Sequence, residues 1–209
     1  MSKCYSKKPK LVAIVGGSGA GKTWLADRLE KTFGEKATRL SLDDFYLDRS
    51  HLPATRRSKI NFDHPRAIDW KNVERVLQKF AAGKAARAPK YDFATHTRLA
   101  DGQFVKPNSV VIVDGLWLLR RPVLRKLFSC RIFIDCPRRI RLQRRLNRDF
   151  RERGRDAGSI RKQFLGQVAP MHDRFVRPQL RRANIVISNP NAGEVASLAE
   201  QIKAVLNSN

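Results

Sequence analysis

"LVAIVGGSGAGKT", residues 11–23, decides the fold. Five apolar residues at 11–15 have the length and β-branched content of a buried strand, and glycines stop them abruptly. Gly16, Gly17, Ser18, Gly19, Ala20, Gly21, Lys22 and Thr23 then match G-x-x-x-x-G-K-[ST]. Beyond them Leu25, Leu29 and Phe33 fall four apart, as on one face of a helix. Strand, glycine-rich turn and helix in that order form the context a phosphate-binding loop requires. Its glycines let backbone N–H groups turn inward around phosphate oxygens, and the helix N-terminus adds favourable partial charge. Lys22 then reaches the β- and γ-phosphates, and the Thr23 hydroxyl ligates Mg²⁺. The implied ligand is a nucleoside triphosphate, ATP or GTP.

Outward from that loop, short apolar runs alternate with helix-like stretches, the pattern of βα units on a parallel sheet. Residues 39–42, 109–115, 131–135 and 183–188 read as further strands. Asp69 reads as the N-cap of a helix with Val73, Val76, Leu77 and Phe80 on one face. A last helix presents Val195, Leu198, Ile202 and Val205 to the core. Residues 83–107 break the alternation. Two aromatic-bearing runs there are expected to form a small β insertion over the sheet, joined near Asp101–Gly102. The expectation is one α/β domain over 1–209 of the P-loop NTPase type, nucleoside/nucleotide-kinase-like. It has three layers, α/β/α, around a parallel sheet, with the β-hairpin insertion and a flexible basic tail at 1–9.

Two further acids bear on the phosphates. Asp114 ends the apolar strand "VVIVDG", where P-loop proteins place the acid that organises the metal. "LSLDDFY" (40–46) sets Asp43 and Asp44 side by side at another strand end, and such ends face the ligand crevice of an open α/β sheet. Asp43 is the candidate base for an acceptor hydroxyl and a possible metal contact. Asp44, next in the chain, points elsewhere.

Cations come from "PRRIRLQRRLNRDFRERGR" (137–155), where Arg141, Arg145 and Arg148 lie at i, i+4, i+7 and Gly154 offers a stop. Residues 138–160 read as an arginine-rich lid that stabilises charge on a transferring phosphoryl group. The alternative is a solvated basic helix.

Lysine and arginine number 43 against 19 acids, a net charge of +24, and 20 basic against 5 acidic residues lie between 120 and 182. So basic a surface attracts polyanions, which keeps an ATP-switched nucleic-acid-binding protein in view. No run approaches the roughly 18 apolar residues of a membrane span. Cys4, Cys130 and Cys136 lack metal-like spacing and read as reduced thiols. A cytoplasmic location follows from these features. The guanine-reading N-K-x-D of a GTPase is absent from the sequence.

In order, "GGSGAGKT", "LSLDDFY", "NFDHP", "YDFATH", "VDGLW" and "RLNRDFRERGRD" make the sequence similar to the uridine kinase (uridine–cytidine kinase) family of P-loop kinases. The resemblance implies phosphorylation of the 5′-hydroxyl of uridine, and of cytidine, by ATP or GTP with Mg²⁺. It places Asp43 as catalytic base, with Lys22, Arg148 and Arg153 serving the phosphates. Asp63 holds the ribose hydroxyls with Arg145 as partner. Tyr91, Phe93 and His96 form the pyrimidine pocket, and Arg155 lies near the base. Relatives of this kind often form homo-oligomers. Three departures stand out: Asp114 where relatives often carry glutamate, Asp44 where they often carry serine, and the excess positive charge. Phosphoribulokinase-like and pantothenate-kinase-like proteins share the P-loop and remain the neighbouring readings.

Overall fold

The apolar run at 11–15 lies at the centre of a parallel sheet. The computed structural model describes residues 8–57 and 59–208, with the side chains of residues 152, 153 and 192 outside the described part. Most of the basic tail, Cys4 included, also lies outside it. The chain supplies β1 (Lys10–Gly16) and β2 (Ala37–Ser41), then four short inserted strands. These are β3 (Ala86–Ala88), β4 (Tyr91–Asp92), β5 (Thr97–Arg98) and β6 (Gln103–Val105). The main sheet resumes with β7 (Val110–Gly115), β8 (Phe128–Ile134) and β9 (Ile185–Ile187). Its order is β2-β7-β1-β8-β9, and every pair is parallel.

Alternation along β1 splits the core into two layers, because successive side chains of a strand point to opposite faces. Val12 and Ile14 pack with Leu25 and Leu29 of α1 (Lys22–Phe33) and with Leu198 and Ile202 of the last helix. Leu11, Ala13 and Val15 face Val73, Val76, Leu77 and Phe80 on the other side. Those four belong to α3 (Trp70–Ala81), which follows the single-turn α2 (Ala54–Arg57). Asp69 caps α3 as its side chain accepts the Asn72 N–H at 3.1 Å. Three layers, α/β/α, result.

After α4 (Pro122–Arg125) and β8, α5 (Arg138–Arg153) carries the arginines and ends at Gly154, whose φ of 58° is the left-handed conformation of a helix stop. Beyond α6 (Ala157–Gln163), the short α7 (Ala169–Met171) sits between two π-helical segments, Phe164–Val168 and His172–Val176. The chain closes with α8 (Val195–Asn207). Among the described residues no helix is long and apolar enough to cross a membrane.

Several expected boundaries move. The second strand is 37–41, and Leu42 opens a 3-10 turn (Leu42–Phe45) instead. The last strand is only Ile185–Ile187. In α8, Leu206 is buried whereas Val205 is only partly so. The insertion does not reverse at Asp101–Gly102. Tyr91 pairs with Arg98, so the chain turns over residues 93–96, where Asp92 accepts both the Ala94 N–H and the Thr95 hydroxyl. Gly102 serves a different need, since a Cβ there would lie 2.5 Å from the Ala88 carbonyl oxygen.

Candidate active site

Register fixes the site. Ile14 of β1 and Ser41 of β2 both align with Asp114 of β7, so three strand ends meet at one edge of the sheet. From that edge come the P-loop, the 3-10 turn bearing Asp43, and Asp114 itself.

Gly19 and Gly21 hold φ of 79° and 99°, which side-chain-bearing residues rarely adopt. A Cβ on Gly19 would also stand 2.5 Å from the Arg141 carbonyl oxygen. Within the loop the Gly17 carbonyl accepts the Ala20 N–H at 3.0 Å and the Lys22 ammonium at 3.1 Å. Burial lowers the Lys22 pKa, while the Asp43 and Asp114 charges act to raise it. The Thr23 hydroxyl donates to Asp114 Oδ2 at 3.3 Å, and Asp114 Oδ1 is buried with no hydrogen bond among the described residues. Arg39 Nη2 faces that oxygen at 3.6 Å, while Nη1 of the same guanidinium pairs with Asp27 of α1. A hydroxyl and a carboxylate suit a small hard cation. Among the described residues no trio of His, Cys, Asp or Glu could hold a metal. A cation here would therefore rely on phosphate oxygens and water for its remaining ligands.

The adjacent aspartates diverge. Ser41 Oγ accepts the Asp43 N–H at 3.3 Å, and Asp43 Oδ1 is buried with no hydrogen bond among the described residues. Burial pushes the Asp43 carboxyl up to about 6; Lys22 opposes the shift, and Asp114, Asp63 and Asp44 add to it. Asp44 turns to the insertion, where it accepts the Tyr91 N–H at 3.3 Å and faces the Lys90 ammonium at 3.5 Å. Arg98 of β5 fastens the same hairpin to the Tyr46 carbonyl at 2.8 Å and to Asp69 at 3.2 Å.

Asp63 lies within electrostatic reach of Asp43. Burial raises its carboxyl, and the Arg145 charge is the strongest opposing influence. Asn61 Oδ1 accepts the Asp63 N–H at 3.0 Å and the Gln167 amide at 2.7 Å. The ring of Tyr46, within electrostatic reach of Asp63, opens an aromatic group. Tyr91 lies 5.2 Å from Tyr46 and 5.4 Å from Phe93, and His96 stacks on Phe62 at 4.6 Å. The Tyr91 hydroxyl is buried with no hydrogen bond among the described residues, and burial pushes its pKa to about 12. Phe93 is at the rim, 45% exposed.

Arg138, Arg139 and Arg151 of α5 are exposed, but the arginines facing the P-loop are not a solvated stripe. Arg141 and Arg145 are buried, and the carboxylate of Asp149, fully buried, gathers three guanidinium groups. Arg148 reaches it at 2.8 Å, Arg145 at 3.4 Å and Arg155 at 3.8 Å. Arg145 also donates to Ser18 Oγ of the P-loop at 2.9 Å and shares the Gln163 amide oxygen with Arg155. The side chain of Arg153 lies outside the described residues. Sequence reasoning missed Asp149 and Gln163. Asp149 was detectable, four residues after Arg145 and so on the same helix face. Gln163 has no local signal.

This arrangement matches known proteins along most of its length. Residues 11–196 fit the model of the Phosphoribulokinase / Uridine kinase family. The chain belongs to that family. It is 36% identical over 203 residues to a uridine kinase of Clostridium perfringens (strain SM101 / Type A), covering 96% of this chain and 98% of that one. A uridine kinase of Staphylococcus aureus (strain JH9) is 38% identical over 191 residues, covering 91% and 92%. In fold, it matches a phosphoribulokinase from Rhodobacter spheroides with a TM-score of 0.64 at 18% identity, over 88% of this chain and 71% of that one. Membership agrees with the parallel sheet and the P-loop expected from residues 11–23.

Proposed function

We propose that this family member transfers the γ-phosphoryl group of ATP or GTP to the 5′-hydroxyl of uridine, and of cytidine, in pyrimidine salvage. The observation that carries the reading is Asp43: a buried carboxylate oxygen with no hydrogen bond, set among Lys22, Asp114 and Asp63. The uridine kinases it resembles over nearly its whole length support the substrate class.

In this reading Asp43 orients the acceptor hydroxyl and accepts its proton as the oxygen attacks in line. Lys22 leaves the Gly17 carbonyl for the β- and γ-phosphates that the 16–23 loop cradles. Arg148 and Arg153 neutralise charge spreading over the transferring group, which is where such electrostatic help is worth most. Asp63 accepts from the ribose hydroxyls with Arg145 alongside. Tyr91, Phe93, His96 and Arg155 hold the pyrimidine, whose planar face suits the aromatic group better than a sugar phosphate or pantothenate would. Thr23 and Asp114, with Asp43 near, would hold Mg²⁺, which when bound offsets phosphate charge. Residues 83–107 form part of the acceptor pocket and 138–160 the lid that excludes water.

The test is phosphoryl transfer from ATP and GTP to uridine and cytidine. Turnover with either nucleoside is expected. Failure with both, alongside turnover on another alcohol, would overturn the substrate assignment.

A further inference from the structure

Arg39 belongs to none of the motifs above, yet it occupies the place where the cation is expected to be organised. It stands on edge strand β2, two residues before Ser41, which aligns with Asp114. Its guanidinium spans two carboxylates of different character. Asp114 is 3% exposed and meets Arg39 at 3.6 Å; Asp27, on α1, is 47% exposed. A buried carboxylate without a counter-charge is costly; Arg39 faces Asp114 Oδ1 and is the strongest cation acting on it, with Lys22 second. The other oxygen of Asp114 is engaged by the Thr23 hydroxyl at 3.3 Å.

A guanidinium and a divalent cation on one carboxylate repel each other, strongly where water is scarce. Arg39 has somewhere to withdraw. Asp27 already holds it from the surface side, and a cleft of about 360 Å³ lined by Glu30, Arg39, Ser41, Asp44 and Lys90 opens along this sheet edge.

We propose that Arg39 is a resident counter-cation of Asp114 that competes with the divalent metal. Asp27 sets the balance by drawing the guanidinium away. Metal then enters together with the nucleotide phosphates rather than before them, because only their added negative charge tips the competition. The inference rests on Thr23 and Asp114 being the metal ligands, as assigned under the proposed function.

The experiment needs no nucleoside, so the identity of the acceptor does not affect it. ATP is titrated into the full chain in EDTA and again in saturating MgCl₂, and the ratio of the two Kd values measures what the metal contributes. Arg39→Met should raise that ratio at least fivefold, since Asp114, left with Lys22 alone, repels phosphates more without metal and binds metal better with it. Asp27→Asn should lower the ratio at least twofold, because the full guanidinium charge then falls on Asp114. Arg39→Lys should stay within twofold of the starting chain. Asp114→Asn is the control and should bring the ratio close to one. An Asp114→Asn ratio equal to that of the starting chain removes the metal assignment and the inference with it. A collapsed ratio in Asp114→Asn, with Arg39→Met unchanged or lowered, sinks the role of Arg39 alone. Should Arg39→Met fail to fold, Asp27→Asn, altered at a half-exposed surface carboxylate, still decides: an unchanged or raised ratio overturns the proposal.

Discussion

The two ends of the site are built from different materials. At the phosphate end the structure is mostly backbone: two glycines at positive φ, a loop carbonyl holding Lys22, and the N-terminus of α1. At the proposed acceptor end it is side chains: Asp43, Asp63 and an aromatic group drawn from three separated segments. A backbone site is spoiled by adding atoms; a side-chain site is spoiled by removing them. Asp149 and its arginines join the two, since Arg145 donates to Ser18 of the loop and its charge acts on Asp63.

Four substitutions press on that contrast. The largest effect belongs to the acceptor end. Asp43→Asn is isosteric, so nucleotide affinity should stay within about threefold while kcat drops by about 10³–10⁴-fold, the scale of a lost base. Near-normal turnover would move the base elsewhere. The wild-type pH profile bears on the same residue. A base must be ionised to accept a proton, and this carboxyl sits at about 6, so kcat/KM should fall about tenfold per pH unit below that value. The folded pKa lies above the ordinary 3.8, so the folded chain holds the proton more tightly and loses stability relative to the unfolded chain as pH rises from about 4 through 6. Asp43→Asn escapes that loss. Its stability gain over wild type in urea melts should therefore be larger at pH 8 than at pH 4.

The junction comes next. Asp149→Asn leaves three guanidinium groups short of their shared buried counter-charge, and should cost about 3 kcal/mol in urea unfolding, with a kcat loss of about 10²-fold. An unchanged urea midpoint would show that Gln163 and Ser18 suffice to hold the arginines. At the phosphate end, Gly19→Ala adds a single methyl. It combines unfavourable φ with a clash against the Arg141 carbonyl, and should weaken ATP binding by about tenfold or more in calorimetry. Unaltered affinity would mean that the loop yields, and the contrast between the two ends would be wrong. Smallest is Asp44→Asn, which weakens one exposed ion pair and one N–H bond to the insertion; KM for the nucleoside should rise two- to fivefold with kcat barely changed.

The same contrast explains what could be read from the amino-acid order. Residues 16–23 are contiguous because a backbone cradle needs a strand end, tight turns and a helix start in immediate succession, and that adjacency forced the sheet arrangement as well. The Asp69 cap and the inward face of α3 were likewise legible, since both depend on neighbours within a turn or two. By contrast, Asp63, Tyr91 and His96 come from segments with no shared spacing, and only their resemblance to a family linked them. The hairpin turn was misplaced because Asp101–Gly102 has the right composition, whereas Asp92 and its side-chain hydrogen bonds select residues 93–96. Arg39 carries no signal in the sequence for a related reason. An arginine on a strand near a basic surface looks ordinary until Asp27 and Asp114, 12 residues before and 75 after it, are seen on either side.

The diverging aspartates of the 3-10 turn carry one more implication. A single peptide unit separates the group that would activate an alcohol from the group that grips the hairpin. The seating of the hairpin and the placement of the proposed base are therefore set by one short turn.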